Sequence, residues 1–209
     1  MLLVEDHSII RQAVSLILRA RGLDVVDTDD MSESGVLDAA KRFSPAVVLL
    51  DFYLDAGDSL PMIRPLTEGG SRVVMLTGVT DYRILADCLD AGAVGIVDKG
   101  DGLERLVDTV EAALDGNDVM RPGLRDEIVG QARAARAREA ERAAPFQRLT
   151  PREQHVLVCL SDGKSAGEIA RDEFVSVATV RSQINSILSK LDVSSQLAAV
   201  ASARKAGWL

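Results

Sequence analysis

Apolar residues fall into two rhythms along this chain. Over residues 1–117 short apolar runs alternate with stretches of helical spacing. Leu2–Val4 predicts a short strand, and Ile9, Ala13, Leu16, Ile17 and Ala20 then recur on one helix face. Asp24–Thr28, with Val25 and Val26, predicts a second strand, and a helix follows from about Ser32 to Arg42. Ala46–Leu50 (AVVLL) is wholly apolar. A loop and a helix lead to another apolar strand, Arg72–Leu76 (RVVML). Residues 80–91 predict a helix, Val94–Val97 a strand and 102–115 a helix. Strands that are apolar throughout are buried on both faces, as in a parallel sheet. The pattern therefore predicts an α/β fold, a doubly wound five-stranded parallel sheet.

The rhythm then changes. Residues 116–123 (GNDVMRPG) punctuate the chain, and GQARAARAREAERAA reads as a helix of Ala, Arg and Glu that Pro145 should end. That helix is expected to be a solvated linker. A dimerisation helix is the sharper alternative, but its seam would be mostly Ala. From Leu149 every predicted element is helical. Thr150-Pro151 with Glu153 makes a capping box for a helix to about Ser161. Further helices are predicted at 165–171, 176–191 and about 194–206. The predicted organisation is an α/β domain over 1–117, a helical linker over 118–147 and a small four-helix domain over 148–209.

Charge sharpens this division. The 209 residues carry 32 acids and 24 bases, a net charge of −8. Residues 1–117 hold 21 acids and 10 bases, whereas 148–209 hold 6 acids and 8 bases. The acidity belongs to the first domain, so the two domains should have different partners. Aromatics are only 3% of the chain, which leaves an aliphatic core. Cys88 and Cys159 are too few for a disulfide framework or a tetrahedral zinc site. The opening MLLVEDHSIIRQ has acids where a secretion signal has bases, and no apolar run is long enough to span a membrane. A cytoplasmic location with no membrane partner is expected.

Ligands of open α/β sheets bind at the carboxyl ends of the strands. Glu5 and Asp6 follow the first predicted strand, and Asp51 the third. Thr77 ends the fourth, and Lys99 follows the fifth. Three crowded carboxylates repel one another. Mg²⁺ relieves that repulsion, because it takes carboxylate oxygens, keeps waters and accepts phosphate oxygens. Asp51 then becomes a carboxylate nucleophile beside a metal, a lysine and a hydroxyl, a set suited to in-line phosphoryl transfer.

The segments LLVEDH, VVLLDFYL, VVMLTG and AGAVGIVDK resemble the signature segments of receiver domains of two-component response regulators, the CheY-like fold. The resemblance covers essentially all of residues 1–117. It implies that Asp51 is the phosphoacceptor of a histidine kinase. It implies Asp6 as a direct Mg²⁺ ligand, Glu5 as a water-mediated one and Tyr53 as a ligand through its backbone carbonyl. Lys99 and Thr77 would hold the phosphoryl oxygens. The chain departs from the family at Ile96, where a switch aromatic is usual. It departs also at Leu54-Asp55, in place of Met-Pro, and at Gly78, in place of Ala. Asp55 and Asp58 add negative charge near the pocket. Family members carry a few more residues ahead of the first strand, so the start reads as shortened, at some cost in stability.

In SVATVRSQINSILSKL (residues 176–191), Val180, Ile184, Ile187, Leu188 and Leu191 form a core stripe. Ser182, Asn185 and Ser189 point the opposite way, with Arg181 on a flank. Such a face fits a major groove, where Arg pairs with guanine and Asn with adenine. Thr179, Lys190 and the helix N-terminus suit phosphates. The run LTPREQHVL…GEIA…VSVATVRSQINSILSKLDV resembles the helix-turn-helix of LuxR-type regulators of the NarL/FixJ class. That implies a scaffold helix at 165–171, a recognition helix at 176–191 and base contacts from Arg181, Ser182 and Asn185. Gln183 replaces a common His, and Gly167 a Lys that would contact phosphate. His7 reads as a turn residue near the pocket, and His155, Cys88, Cys159 and Trp208 as packing residues.

The combined expectation is a response regulator and not an enzyme. Phosphorylation of Asp51 controls dimerisation and binding to paired DNA half-sites. The last helix, near Ser194–Ala203, helps to pair the DNA-binding domains. The alternative is an atypical receiver that acts without phosphorylation. A haloacid-dehalogenase phosphatase would put a DxD pair after its first strand, whereas Asp51-Phe52-Tyr53 follows the third. A ligand-sensing quorum regulator would need an aromatic-lined pocket.

Overall fold

The computed structural model describes Met1–Leu209. The chain forms two compact units, Met1–Arg133 and Ala134–Leu209. No helix is long and apolar enough to cross a membrane.

In the first unit the apolar runs become strands β1 (Leu2–Val4), β2 (Val26–Asp27) and β3 (Val47–Asp51). Tyr53–Leu54 is β4, Gly57–Asp58 is β5, Arg72–Thr77 is β6 and Gly95–Asp98 is β7. The main sheet is parallel, in the order β2-β1-β3-β6-β7. Helices α1 (Ser8–Ala20), α2 (Glu33–Phe43), α3 (Leu60–Glu68), α4 (Tyr82–Ala91) and α5 (Leu103–Leu114) alternate with its strands. The two-residue period of a strand divides the core between the two faces. Leu2, Val4, Val48, Leu50, Val73 and Met75 pack with residues of α2, α3 and α4. Leu3, Val47, Leu49, Val74, Leu76 and Val97 pack with α1 and α5. The five-stranded doubly wound sheet is as expected.

Two local features differ from the expectation. The stretch after Asp51 is not a plain loop but the antiparallel hairpin β4–β5, with Tyr53 opposite Asp58. Strands of two residues are too short for an alternating pattern. The linker helix, α6, is longer than its Ala-rich core and runs Leu124–Gln147. One face of its start is not solvated. Ile128 and Ala132 are buried against Leu85, Ala86 and Leu89 of α4 and against Met120. Arg121 pairs with Glu127 at 2.6 Å. Pro145 lies inside α6 rather than ending it. The helix closes within a turn, through bonds from Arg148 N to the Pro145 carbonyl and from Leu149 N to that of Phe146.

The second unit holds α7 (Pro151–Ser161), α8 (Ala166–Asp172), α9 (Val177–Leu191) and α10 (Gln196–Lys205). Capping boxes start α7, from Thr150 and Glu153, and α8, from Ser165 and Glu168. Ser176 and Ser195 cap α9 and α10. The core joins Val156, Leu157, Ile169, Val180, Ile184 and Ile187 to Phe146, whose ring stacks on Trp208. Cys88 and Cys159 are buried free thiols, the latter 3.6 Å from His155 Nε2.

Glu153 does more than cap. It is buried, and it accepts from Ser186 Oγ at 2.6 Å and from Lys190 Nζ at 2.6 and 2.9 Å. This ties α7 to α9. Burial alone would raise the carboxyl's pKa, but the bonds from Lys190, Ser186 and Thr150 win and hold it at about 2.

Two outcomes follow. Ile128→Ala should cost about 2–4 kcal/mol, seen as a lower calorimetric transition of the first unit. Lys190→Met should cost roughly 3 kcal/mol at neutral pH, read by denaturant unfolding through Trp208 fluorescence. The Glu153 contribution is present above the ordinary value of 4.5 and is lost as the pH falls toward about 2. Wild type and variant should therefore converge in acid.

Candidate functional site

The parallel register brings the strand ends together. Asp51 pairs with Leu76 and Thr77 with Asp98, so the residues that leave β3, β6 and β7 share one edge. Glu5 and Asp6 leave β1 at the same edge. Lys99 Nζ lies 2.7 Å from Asp51 Oδ2 and 2.8 Å from Glu5 Oε2. Only the contact with Asp51 is aligned as a hydrogen bond, which leaves Glu5 Oε2 buried without one. Glu5, Asp51 and Thr77 are buried. Thr77 Oγ1 accepts from Val79 N at 3.0 Å, so its own proton remains to be donated.

His7 is the residue in this cluster to which the sequence assigned no chemistry. Its Nδ1 lies 2.8 Å from Asp6 Oδ1 and 3.1 Å from Glu5 Oε1, and its backbone N–H donates to Glu5. The Asp6 and Glu5 carboxylates raise its pKa. Its place directly after an acid pair was the available signal. Ligand atoms of Glu5, Asp6, His7 and Asp51 all lie within 4.8 Å of one another. Tyr53 opens the hairpin just past Asp51. The residue is 58% exposed.

Burial raises the Asp51 pKa most, and Glu5 adds to that, against Lys99 and the Phe52 N–H. Burial would lower the Lys99 pKa, but contacts with Asp51 and Glu5 raise it on balance. One lysine cannot match three carboxylates. The set of hard oxygens that Glu5, Asp6 and Asp51 gather within 4.8 Å fits a divalent cation such as Mg²⁺. Asp55 and Asp58 are exposed on the hairpin. Ile96 packs toward α4 and the start of α6. Beside it, behind Thr77, is a cavity of about 380 Å³ that Tyr82, Glu127 and Ile128 also line.

On α9 the polar face stands apart from the core. Thr179, Arg181, Ser182, Asn185 and Ser189 are exposed, and Val180, Ile184, Ile187 and Leu191 are buried. Thr179 shares a 2.8 Å hydroxyl contact with Ser176. Lys190 is only partly exposed and is engaged by Glu153. Gln183 Oε1 is buried without a partner.

Comparison with known proteins agrees with both halves. The family model of the response regulator receiver domain matches residues 1–111, and that of the LuxR family of bacterial regulatory proteins matches residues 147–203. The chain belongs to the response regulators with a LuxR-type DNA-binding domain. It is similar to transcriptional regulatory protein LiaR of Bacillus subtilis, with 28% identity over 98% of this chain and 96% of that one. DesR of the same organism is 25% identical, over 99% and 96%. A LuxR-family response regulator from Aurantimonas superposes with a TM-score of 0.53 at 26% identity, over 65% of this chain and 96% of that one. RcsB of Salmonella enterica serovar Typhimurium, solved bound to a promoter, shares the fold (TM-score 0.52, 22% identity, 96% and 95% covered).

As a response regulator of this kind, the protein regulates transcription through DNA binding. Receiver domains bind Mg²⁺ at an acidic pocket, and this receiver has one in Glu5, Asp6 and Asp51.

Asp51 holds its proton more tightly folded than unfolded. Its ionisation therefore costs stability as the pH rises past the ordinary value of 3.8, and the cost is complete once the pH passes its raised folded value. In chelator-containing buffer Asp51→Asn should raise the Tm of the receiver at neutral pH. The gain should vanish below the ordinary carboxylate value, as scanning calorimetry across pH would show.

Proposed function

We propose that a histidine kinase phosphorylates Asp51, and that this modification controls dimerisation and DNA binding. The observation that carries this reading is the buried Asp51 carboxylate, bonded to Lys99 at the edge where Glu5 and Asp6 converge. An Asp51 oxygen attacks the phosphoryl group in line. The new P–O bond forms as the P–N bond to the donor histidine breaks, and the imidazole leaves with the bonding pair. Lys99 exchanges a carboxylate oxygen for a phosphoryl oxygen, and the Thr77 hydroxyl donates to another. Asp6, Asp51 and the Tyr53 backbone carbonyl would hold Mg²⁺, with Glu5 reaching it through water. When bound, the ion neutralises charge on the phosphoryl oxygens.

The second unit supplies the output. Arg181, Ser182 and Asn185 read base edges in the major groove, while Thr179 and the α9 N-terminus meet phosphates. The Lys190 charge is matched by Glu153, so we assign Lys190 first to the shape of the reader and second to phosphate. A two-fold dimer places two readers on paired half-sites. Leu197 on α10, 80% exposed, is suited to that pairing. This chemistry belongs in the cytoplasm, with the DNA. A phosphorylation-independent receiver draws on Ile96 and on the α6 residues that cover α4.

The test is intact mass after incubation with a small-molecule phosphodonor and Mg²⁺, with size exclusion and DNA binding at fixed salt. Wild type should gain one phosphoryl group, dimerise and bind DNA more tightly, and Asp51→Asn should do none of these. Equal behaviour of the two proteins would favour the phosphorylation-independent reading.

A further inference from the structure

Phe174 stands in the turn between α8 and α9 with φ of 54°. The turn closes with bonds from Val175 N to the Ala170 carbonyl and from Phe174 N to that of Arg171. That closure puts a left-handed residue just past the helix, where glycine is usual, and helix-turn-helix turns often contain glycine for this reason. Besides Phe174, the non-glycine residues with positive φ are Ser44 and Asp192. Both are small and polar, and Asp is a residue that tolerates this region. A phenylalanine pays a backbone cost there.

The cost is not recovered inside the domain. Phe174 is 96% exposed, the most exposed of the large apolar residues, while the adjacent Val175 packs against the core. The ring's position is informative. It lies two residues before Ser176, the cap of α9, at the end of the helix where Val177, Ala178 and Arg181 are also exposed. In helix-turn-helix proteins this N-terminal end of the second helix meets base edges. A hydrocarbon ring has no donor or acceptor, and its match in the major groove is the 5-methyl group of thymine.

We propose that Phe174 is a specificity contact of the DNA site, seated against a thymine methyl at the major-groove edge by the start of α9. The proposal rests on the DNA-reading role of α9.

The full chain would first select a duplex from a random pool, and that duplex is the probe. Phe174→Gly and Phe174→Asn should raise the Tm by relieving the left-handed strain. Both should weaken binding about tenfold at fixed salt, leaving its salt dependence unchanged because no phosphate contact is lost. Replacing one thymine of the probe by deoxyuracil should weaken wild type roughly fourfold, the effect of one buried methyl, and should leave the variants unaffected. Unchanged affinity in the variants would overturn the proposal, as would deoxyuracil effects equal in wild type and variants. Lost transcription with DNA affinity intact would overturn it too, by assigning the ring to a protein partner. Arg181→Ala separates the two levels. If it also binds as wild type, the DNA reading of α9 fails. If it alone loses binding, only the role of Phe174 fails.

Discussion

A buried carboxylate needs a partner, and the receiver supplies fewer partners than it has carboxylates. Taking an ion out of water costs several kcal/mol unless charge and hydrogen bonds offset it. Glu5 and Asp51 are both buried, and the ammonium of Lys99 is shared between them. The strand order places Lys99 for this, since β7 lies beside β6 and β6 beside β3. His7 takes up part of the remaining charge from Asp6 and Glu5. The pocket remains short of positive charge, and that shortage suits it to a divalent cation.

The second unit solves the same problem differently. Glu153 is buried too, but it accepts bonds from the Thr150 backbone, Ser186 and Lys190. Its charge is fully matched, and its pKa falls to about 2, whereas that of Asp51 rises. A saturated carboxylate works as a fastener between α7 and α9. An unsaturated one keeps oxygens open to a cation. The same residue chemistry meets opposite surroundings in the two units, and the number of donors decides whether the pKa falls or rises.

The first turns of α6 give the receiver a covering on α4. Ile128 and Ala132 fill the surface formed by Leu85, Ala86 and Leu89, and Ile96 and Val79 border it. Val79 also donates its N–H to Thr77, the hydroxyl of the pocket. Packed contacts therefore run from the pocket edge to the linker helix without an aromatic side chain at Ile96.

Sequence alone determined the elements and the residues at their ends. Apolar runs marked the main strands, and Glu5, Asp6, Asp51, Thr77 and Lys99 stood at the strand ends where parallel topology gathers them. The capping box of Thr150 and Glu153 was legible because its partners are three residues apart. The polar face of α9 was legible from helical spacing. Tertiary structure alone decided the partners. Lys99 meets Asp51 across 48 residues and Lys190 meets Glu153 across 37. It also decided that His7 bridges the acid pair, that a hairpin follows Asp51 and that α6 begins against α4. The physical reason is range. Periodicity and capping act within a turn or two of the chain, whereas the match of a buried charge depends on which distant groups the packed core brings within 3 Å of it.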